Sequence, residues 1–298
     1  MAEGLDTVVA GTAAEAATAA ERWADKAGVS VELVAAEPAA RQVATVLSAV
    51  WPQPNGTAPV TPELAWALAH SGNYVALAVG PDGPVGAAVG FRAADGEGHH
   101  LHSHIAGVVP ARQGGSVGFA LKQHQRAWAL GAGLTRITWT FDPLVARNAY
   151  FNVMKLGAGL TRYYVDFYGA LSDGINVGDE SDRCLVTWWL TGQRAAAAAS
   201  GATGEVDLAA LCRMGAVEVL GPGPGHEPVL QAAPAQATRL ARVPADVVEL
   251  RHRDPAMARR WRQALREVLT TTFAEGLEVE AVSRDGCYVI GARRRPAR

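Results

Sequence analysis

The chain has 298 residues, about two domain equivalents at roughly 150 residues each. With 49% apolar and 19% charged residues it can bury a sizeable core, which excludes disorder along its whole length. A formal net charge of −2 argues against nucleic acid as the main partner, because binding a phosphate backbone needs a basic excess.

Cys184, Cys212 and Cys287 lie far apart without C-x-x-C spacing. They make neither a disulfide framework nor, alone, a zinc site. Glu3 and Asp6 stand where a signal peptide would carry Lys or Arg. No run of about 18 apolar residues is free of Gly, Pro or charge. The expectation is a soluble, reduced, cytoplasmic protein without a membrane partner.

The predicted elements begin with an Ala-rich helix over residues 1–28, followed by an alternating strand, VSVELV (29–34). In 37–51, Val43, Val46, Leu47 and Val50 fall at helical spacing with Pro38 in the first turn. After a Pro/Asn/Gly loop, Thr61 and Pro62 supply the N-cap and first position of a helix over 61–70. Runs at 73–80, 84–93 and 100–110 read as strands, the first two joined as a hairpin by PDGP (81–84). A helix over 117–131, a strand over 135–141, a helix over 147–158 and strands over 160–169 and 182–190 complete the set. The fold class is α/β, a mixed sheet flanked by helices, in one domain over 29–191. Trp188 and Trp189 are expected in its core, one on each face of their strand, and Cys184 as a small buried residue.

After Leu190 the composition changes. Residues 192–205 (GQRAAAAASGATGE) read as a linker, and GPGPG (221–225) as an obligate loop. A small C-terminal α+β region over 206–298 is built on a long helix, with Asp254 as N-cap, Pro255 at its first position and Gly276 past its end. Its apolar stripe is Met257, Trp261, Leu265, Val268, Leu269 and Phe273; Arg259, Arg260, Arg262 and Arg266 are read as the solvated face opposite. The basic terminus ARRRPAR reads as a solvated tail.

The informative segment is HLHSHIAGVVPARQGGSVG (100–118). A strand ends near Pro110, a loop follows, and a helix opens near Val117. Backbone N–H groups at such a helix start make an anion site, and Gly114 and Gly115 let the backbone approach a ligand closely. There is no G-x-x-x-x-G-K-[ST] and no G-x-G-x-x-G, so neither the P-loop nor the dinucleotide fingerprint applies.

QGGSVG (113–118) resembles the Q/R-x-x-G-x-G/A acyl-CoA pyrophosphate loop of the GNAT superfamily of N-acyltransferases. The order of strands and helices is similar, as is the helix from Asn148 that ends in KLGA (155–158). LHSH, WTFDPLVARNAYFN, DFYG and SDRCLV resemble a bacterial subfamily described as predicted acetyltransferases, and the C-terminal helix with RRWRQALRE resembles that subfamily's extension. The resemblance covers about residues 29–190 well and the remainder loosely. Ser116 departs from it, standing where the loop motif has Gly. Val153 stands near the place of a Tyr that protonates the leaving thiolate in many relatives; Tyr150 is the alternative, and the thiolate can also leave unprotonated.

The resemblance implies acetyl-CoA or another acyl-CoA as co-substrate and the amine of a small molecule as acceptor; no metal is expected, because no carboxylate or Cys near the four histidines of 99–104 completes a coordination set. Pantetheine would lie between strands 101–109 and 135–141, paired with Gly107, Val108 and Val109 and held by Asn148. Gln113, Gly114, Gly115, Ser116, Val117 and Gly118 would hold the pyrophosphate, and one N–H would polarise the thioester carbonyl.

His102 and His104, two apart on a strand, share one face. Both are candidates for taking the amine's proton, against a structural role in the sheet; His99 and His100 are placed in the preceding turn. Tyr163, Asp166 and Tyr168 are candidates for an acceptor wall, and Arg183 for pairing with a substrate carboxylate or a surface ion pair. An acyltransferase is the leading reading, and a non-catalytic acyl-CoA-binding or regulatory protein the alternative. A homodimer is left open.

Overall fold

A computed structural model describes residues 2–53, 56–169 and 180–292; the tail from 293 onward lies outside the described residues. In chain order the helices are α1 (Ala2–Ala27), α2 (Glu37–Val50), α3 (Pro62–His70), α4 (Val117–Gly131), α5 (Ala146–Tyr150), α6 (Gln193–Ser200), α7 (Leu208–Arg213), α8 (Val247–Arg253) and α9 (Pro255–Ala274). The strands are β1 (Ser30–Leu33), β2 (Tyr74–Gly80), β3 (Gly83–Asp95), β4 (Gly98–Val108), β5 (Arg136–Phe141), β6 (Gly159–Tyr164), β7 (Arg183–Trp189), β8 (Val217–Pro222), β9 (Pro228–Leu230), β10 (Arg239–Arg242), β11 (Leu277–Val282) and β12 (Cys287–Ala292). The class is the expected mixed α/β. The chain divides into two compact units, Met1–Trp139 with Trp188–Ser200, and Thr140–Thr187 with Gly201–Arg298. The division therefore runs through the expected 29–191 domain.

In the first unit β1 to β4 form an antiparallel meander, and β5 joins parallel to β4 at Leu101↔Ile137 and His102↔Thr138. The stripe of α2 works as its spacing predicts: Val43, Val46 and Leu47 bury against Val75, Leu77, Ala87 and Val89 of the sheet. Thr61 caps α3 by accepting from the Leu64 N–H at 3.3 Å. Residues 193–200 are not a linker but helix α6, with Ala195, Ala198 and Ala199 buried. Its end is held by Arg22 and Trp23, which both donate to the Ala199 carbonyl. Trp188 is buried, but Trp189 is 51% exposed, so only one of the pair is core.

In the second unit β6 and β7 pair antiparallel from Gly159↔Thr187 to Tyr164↔Arg183. A separate sheet runs β11-β12-β10-β8-β9, with β8 and β10 parallel. Asp254 caps α9 through the Met257 N–H at 2.9 Å. Two expectations change here. The helix after β5 stops being α-helical at Tyr150 and closes in a π-turn over Phe151–Lys155. The strand expected over 160–169 ends at Tyr164, because Asp166 takes a left-handed φ of 45°.

Candidate functional site

The site begins where β4 leaves β5. The register Val89↔Ile105 and Phe91↔His102 places Gly90 opposite both Ser103 and His104, a β-bulge in β4. A bulge adds local twist and re-aims side chains. Among the described residues, β4 pairs with β5 only at Leu101 and His102, while β3 follows it to Val108. One edge of β4 is therefore open beyond the bulge. The Val109 N–H donates to the Val85 carbonyl of β3 at 2.9 Å. Since backbone groups alternate along a strand, Val108 presents its N–H to the open edge, whereas Gly107 turns towards β3 as Val109 does. Gly107 also has a packing role, because a Cβ there would lie 2.7 Å from the Trp51 ring.

A 3₁₀ turn over Pro110–Arg112 leads to the loop. Gln113 is committed, its N–H to the Pro110 carbonyl and its Nε2 to the Val108 carbonyl at 3.1 Å. The next five N–H groups, Gly114 to Gly118, find no acceptor among the described residues. They sit at the positive end of the 15-residue helix α4. Gly114 has φ 81° and Ser116 φ 66°. Ser116 thus holds a left-handed conformation that favours glycine, which accounts for the Gly the resembling motif carries there.

His102 and His104 do lie together, both against Phe91, with ring centroids 5.1 and 6.0 Å away. Their environments differ. His102 is half-buried and its Nδ1 is 3.2 Å from Thr138 Oγ1. Burial, then His104, His100 and Lys122, push its pKa down to about 4. His104 is exposed at the bulge, and partial desolvation lowers its pKa from 6.5. His99 and His100 are in β4, not in the turn before it. His100 is buried beside Arg136 at 3.1 Å, and Arg136 pairs with Asp95 and Glu97, so this end of the hairpin is a structural clamp. Among the described residues no three His, Cys, Asp or Glu side chains converge on a metal site, and no helix is long and apolar enough to cross a membrane.

Sequence reasoning missed Lys122. It is buried in α4, donating to Ser103 Oγ at 2.9 Å and Gln125 Oε1 at 3.1 Å, with its ammonium 3.9 Å from the Trp139 ring centroid. Burial pulls its pKa down to about 7. A helix-face count of α4 could have flagged it, since the buried face also carries Gln123, Gln125 and Arg126.

The remaining candidates belong to the second unit. Asn148 is exposed in α5, and Tyr150 lies beside Arg284, 5.4 Å from its ring, and Lys155 at 6.0 Å. Val153 is buried. Tyr163 is not an open wall residue: its hydroxyl donates to Asp182 Oδ2 at 2.5 Å, and burial followed by that carboxylate pushes the phenol pKa up. Asp166 accepts from the Ser181 N–H and hydroxyl at 3.1 Å each, and so serves its own turn. Tyr168 is exposed, its hydroxyl 3.3 Å from Thr140 Oγ1. Arg183 is not a surface group but is only 9% exposed.

The arginines of α9 do not all lie on the solvated face expected for them. Arg262 is 1% exposed and, with Arg251 of α8, holds the buried Asp142. Arg266 clamps Asp182 with Nε and Nη2, both at 2.9 Å. Only Arg259 and Arg260 keep to the solvated face.

No known protein family matches the chain by sequence, and no curated protein matches it. Solved structures do. Naa20 of Chaetomium thermophilum in complex with a bisubstrate analogue is 17% identical, with a TM-score of 0.42 over 54% of this chain and 86% of that one. YncA of Salmonella typhimurium with its cofactor acetyl-CoA is 17% identical, at 0.43 over 55% and 94%. The chain is similar as well to a GNAT-family acetyltransferase of Streptococcus pneumoniae, 13% identical at a TM-score of 0.43 over 53% of this chain and 97% of that one.

Proposed function

We propose that the chain is an acyl-CoA-dependent N-acyltransferase, using acetyl-CoA first among donors and the amine of a small molecule as acceptor. The observation that carries this reading is the run of five uncommitted N–H groups, Gly114 to Gly118, beside the open edge of β4. Successive unpaired donors at a helix N-terminus suit a pyrophosphate. The loop also has room for one. A Cβ on Gly114 would meet nothing within 4 Å, and on Gly115 and Gly118 nothing closer than 3.5 and 3.7 Å.

The bound acyl-CoA supplies a thioester carbon, at which the amine's N–C bond forms as the C–S bond breaks. The Val108 N–H, facing the open edge, is the donor placed to stabilise charge on the thioester oxygen. Of the two histidines, His104 is assigned as the base that takes the ammonium proton. It is accessible, whereas a pKa near 4 leaves His102 a weak base with one nitrogen turned to Thr138. A thiol pKa of roughly 8.5 lets the thiolate depart without a dedicated acid.

The test is calorimetric titration of the full chain with acetyl-CoA, succinyl-CoA and free CoA, followed by an amine screen monitored by thiol release. Micromolar binding that Gly114→Asp abolishes is expected. Absence of binding to all three, or binding indifferent to Gly114→Asp, would reject the assignment of the loop. Binding without turnover on any amine would favour the non-catalytic alternative.

A further inference from the structure

Among the described residues, Arg183 is a buried cation that donates to no carboxylate. Its side chain comes off β7 opposite Tyr164 and is only 9% exposed. A buried guanidinium normally faces a carboxylate, because an unpaired buried charge is costly. Among the described residues of this unit two carboxylates are buried, and both accept from other arginines. Asp142 accepts from Arg251 and Arg262. Asp182 accepts from Arg266 with both oxygens and also from Tyr163 and the Asp166 N–H.

Arg183 is left with one hydrogen bond among the described residues, from Nη1 to the Asp182 carbonyl at 2.9 Å. Its guanidinium carbon lies 5.3 Å from the Tyr168 ring centroid. That ring is 45% exposed and packs edge-on against Phe167, also 45% exposed, with centroids 4.7 Å apart. A planar fork of donors thus lies beside an aromatic ring, with a second exposed ring alongside.

We propose that Arg183 and Tyr168 form a binding site for a small carboxylate that carries an apolar or aromatic body. The fork matches a carboxylate in two parallel N–H···O bonds. Tyr168 adds a cation–π contact to the guanidinium, and Phe167 with Tyr168 covers the apolar part of the ligand. The bound anion accepts from guanidinium donors that neither the Asp142 nor the Asp182 carboxylate takes among the described residues. This site is independent of the acyl-CoA loop and does not require the chain to be an acyltransferase.

The experiment is calorimetry on the full chain at pH 7 with phenylacetate, its neutral isostere phenylacetamide, and inorganic phosphate. Phenylacetate should bind at least about tenfold more tightly than phenylacetamide and more tightly than phosphate. Arg183→Met should abolish that preference, and Arg183→Lys should restore it in part. Tyr168→Ala alters an exposed ring rather than the core and should weaken phenylacetate binding; it serves as the second variant where Arg183→Met lowers the folded yield. Failure of phenylacetate to bind, equal binding of the amide, stronger binding of phosphate, or binding unchanged in Arg183→Met would each overturn the proposal.

Discussion

Asp142→Asn tests the charge architecture of the second unit. The carboxylate follows β5 and is 7% exposed, and its partners Arg251 and Arg262 are 5% and 1% exposed. Arg251 donates to Oδ2 at 2.5 Å, Arg262 to both oxygens at 2.9 and 3.3 Å, and the Leu144 N–H to Oδ1 at 3.0 Å. Burial by itself would raise the carboxyl pKa. The two guanidiniums and the Leu144 N–H more than offset it and hold it at about 2. Relative to an unfolded value near 3.8, that displacement is worth about 2 kcal/mol at neutral pH. Asn does more harm than protonation, because it removes the carboxylate that two buried guanidiniums share, at a cost of about 3–5 kcal/mol.

The folded pKa lies below the unfolded one, so between the two values the unfolded chain binds more protons. The stabilisation is therefore complete above about pH 4 and is lost as pH falls towards 2. Urea unfolding followed by tryptophan fluorescence reads this, since Trp261 is buried in α9. We expect Asp142→Asn to lower stability by about 3–5 kcal/mol at pH 7, with the gap to wild type narrowing by about 1 kcal/mol at pH 3. A loss below about 1 kcal/mol at pH 7, or a gap equal at pH 7 and pH 3, would refute the reasoning.

Gly107→Ala should destabilise the first unit by about 1–3 kcal/mol through overpacking against Trp51, and Trp51→Leu should recover part of that loss in thermal melts. Lys122, whose folded pKa is depressed to about 7, makes the unfolded chain the better proton binder between about pH 7 and 10. Stability should rise with pH across that window in wild type and stay flat in Lys122→Met, as urea midpoints will report. In the thiol-release assay, His104→Gln should lower kcat by about 10²-fold or more and remove the acidic limb, where the rate falls as pH drops through the His104 pKa. His102→Gln should leave that limb in place, because His102 is already neutral above about pH 5; loss of the limb in His102→Gln alone would reverse the assignment.

What the sequence determined by itself was whatever neighbouring residues decide. Thr61-Pro62 and Asp254-Pro255 start helices because capping and a fixed proline φ act within one turn. The stripe of α2 follows from spacing alone, and the loop before α4 from two glycines and a resembling motif. The histidine pair was likewise legible from its spacing on a strand, although the bulge at Ser103 and His104, which the spacing does not show, interrupts the alternation. Tertiary structure decided the rest. Arg262 reads as solvated by its charge, yet Asp142, 120 residues away, makes its burial favourable. The Ala-rich stretch over 193–200 looks like a linker until Arg22 and Trp23 reach the Ala199 carbonyl from α1. The bulge that opens one edge of β4 is set by pairing with β3, and the same pairing directs Val108 rather than Val109 outward. The low pKa of His102, the commitment of Tyr163 to Asp182 and the burial of Arg183 arise from the packing of elements separate in the chain. Local patterns fix where elements begin and end, but burial and charge balance depend on which surfaces meet.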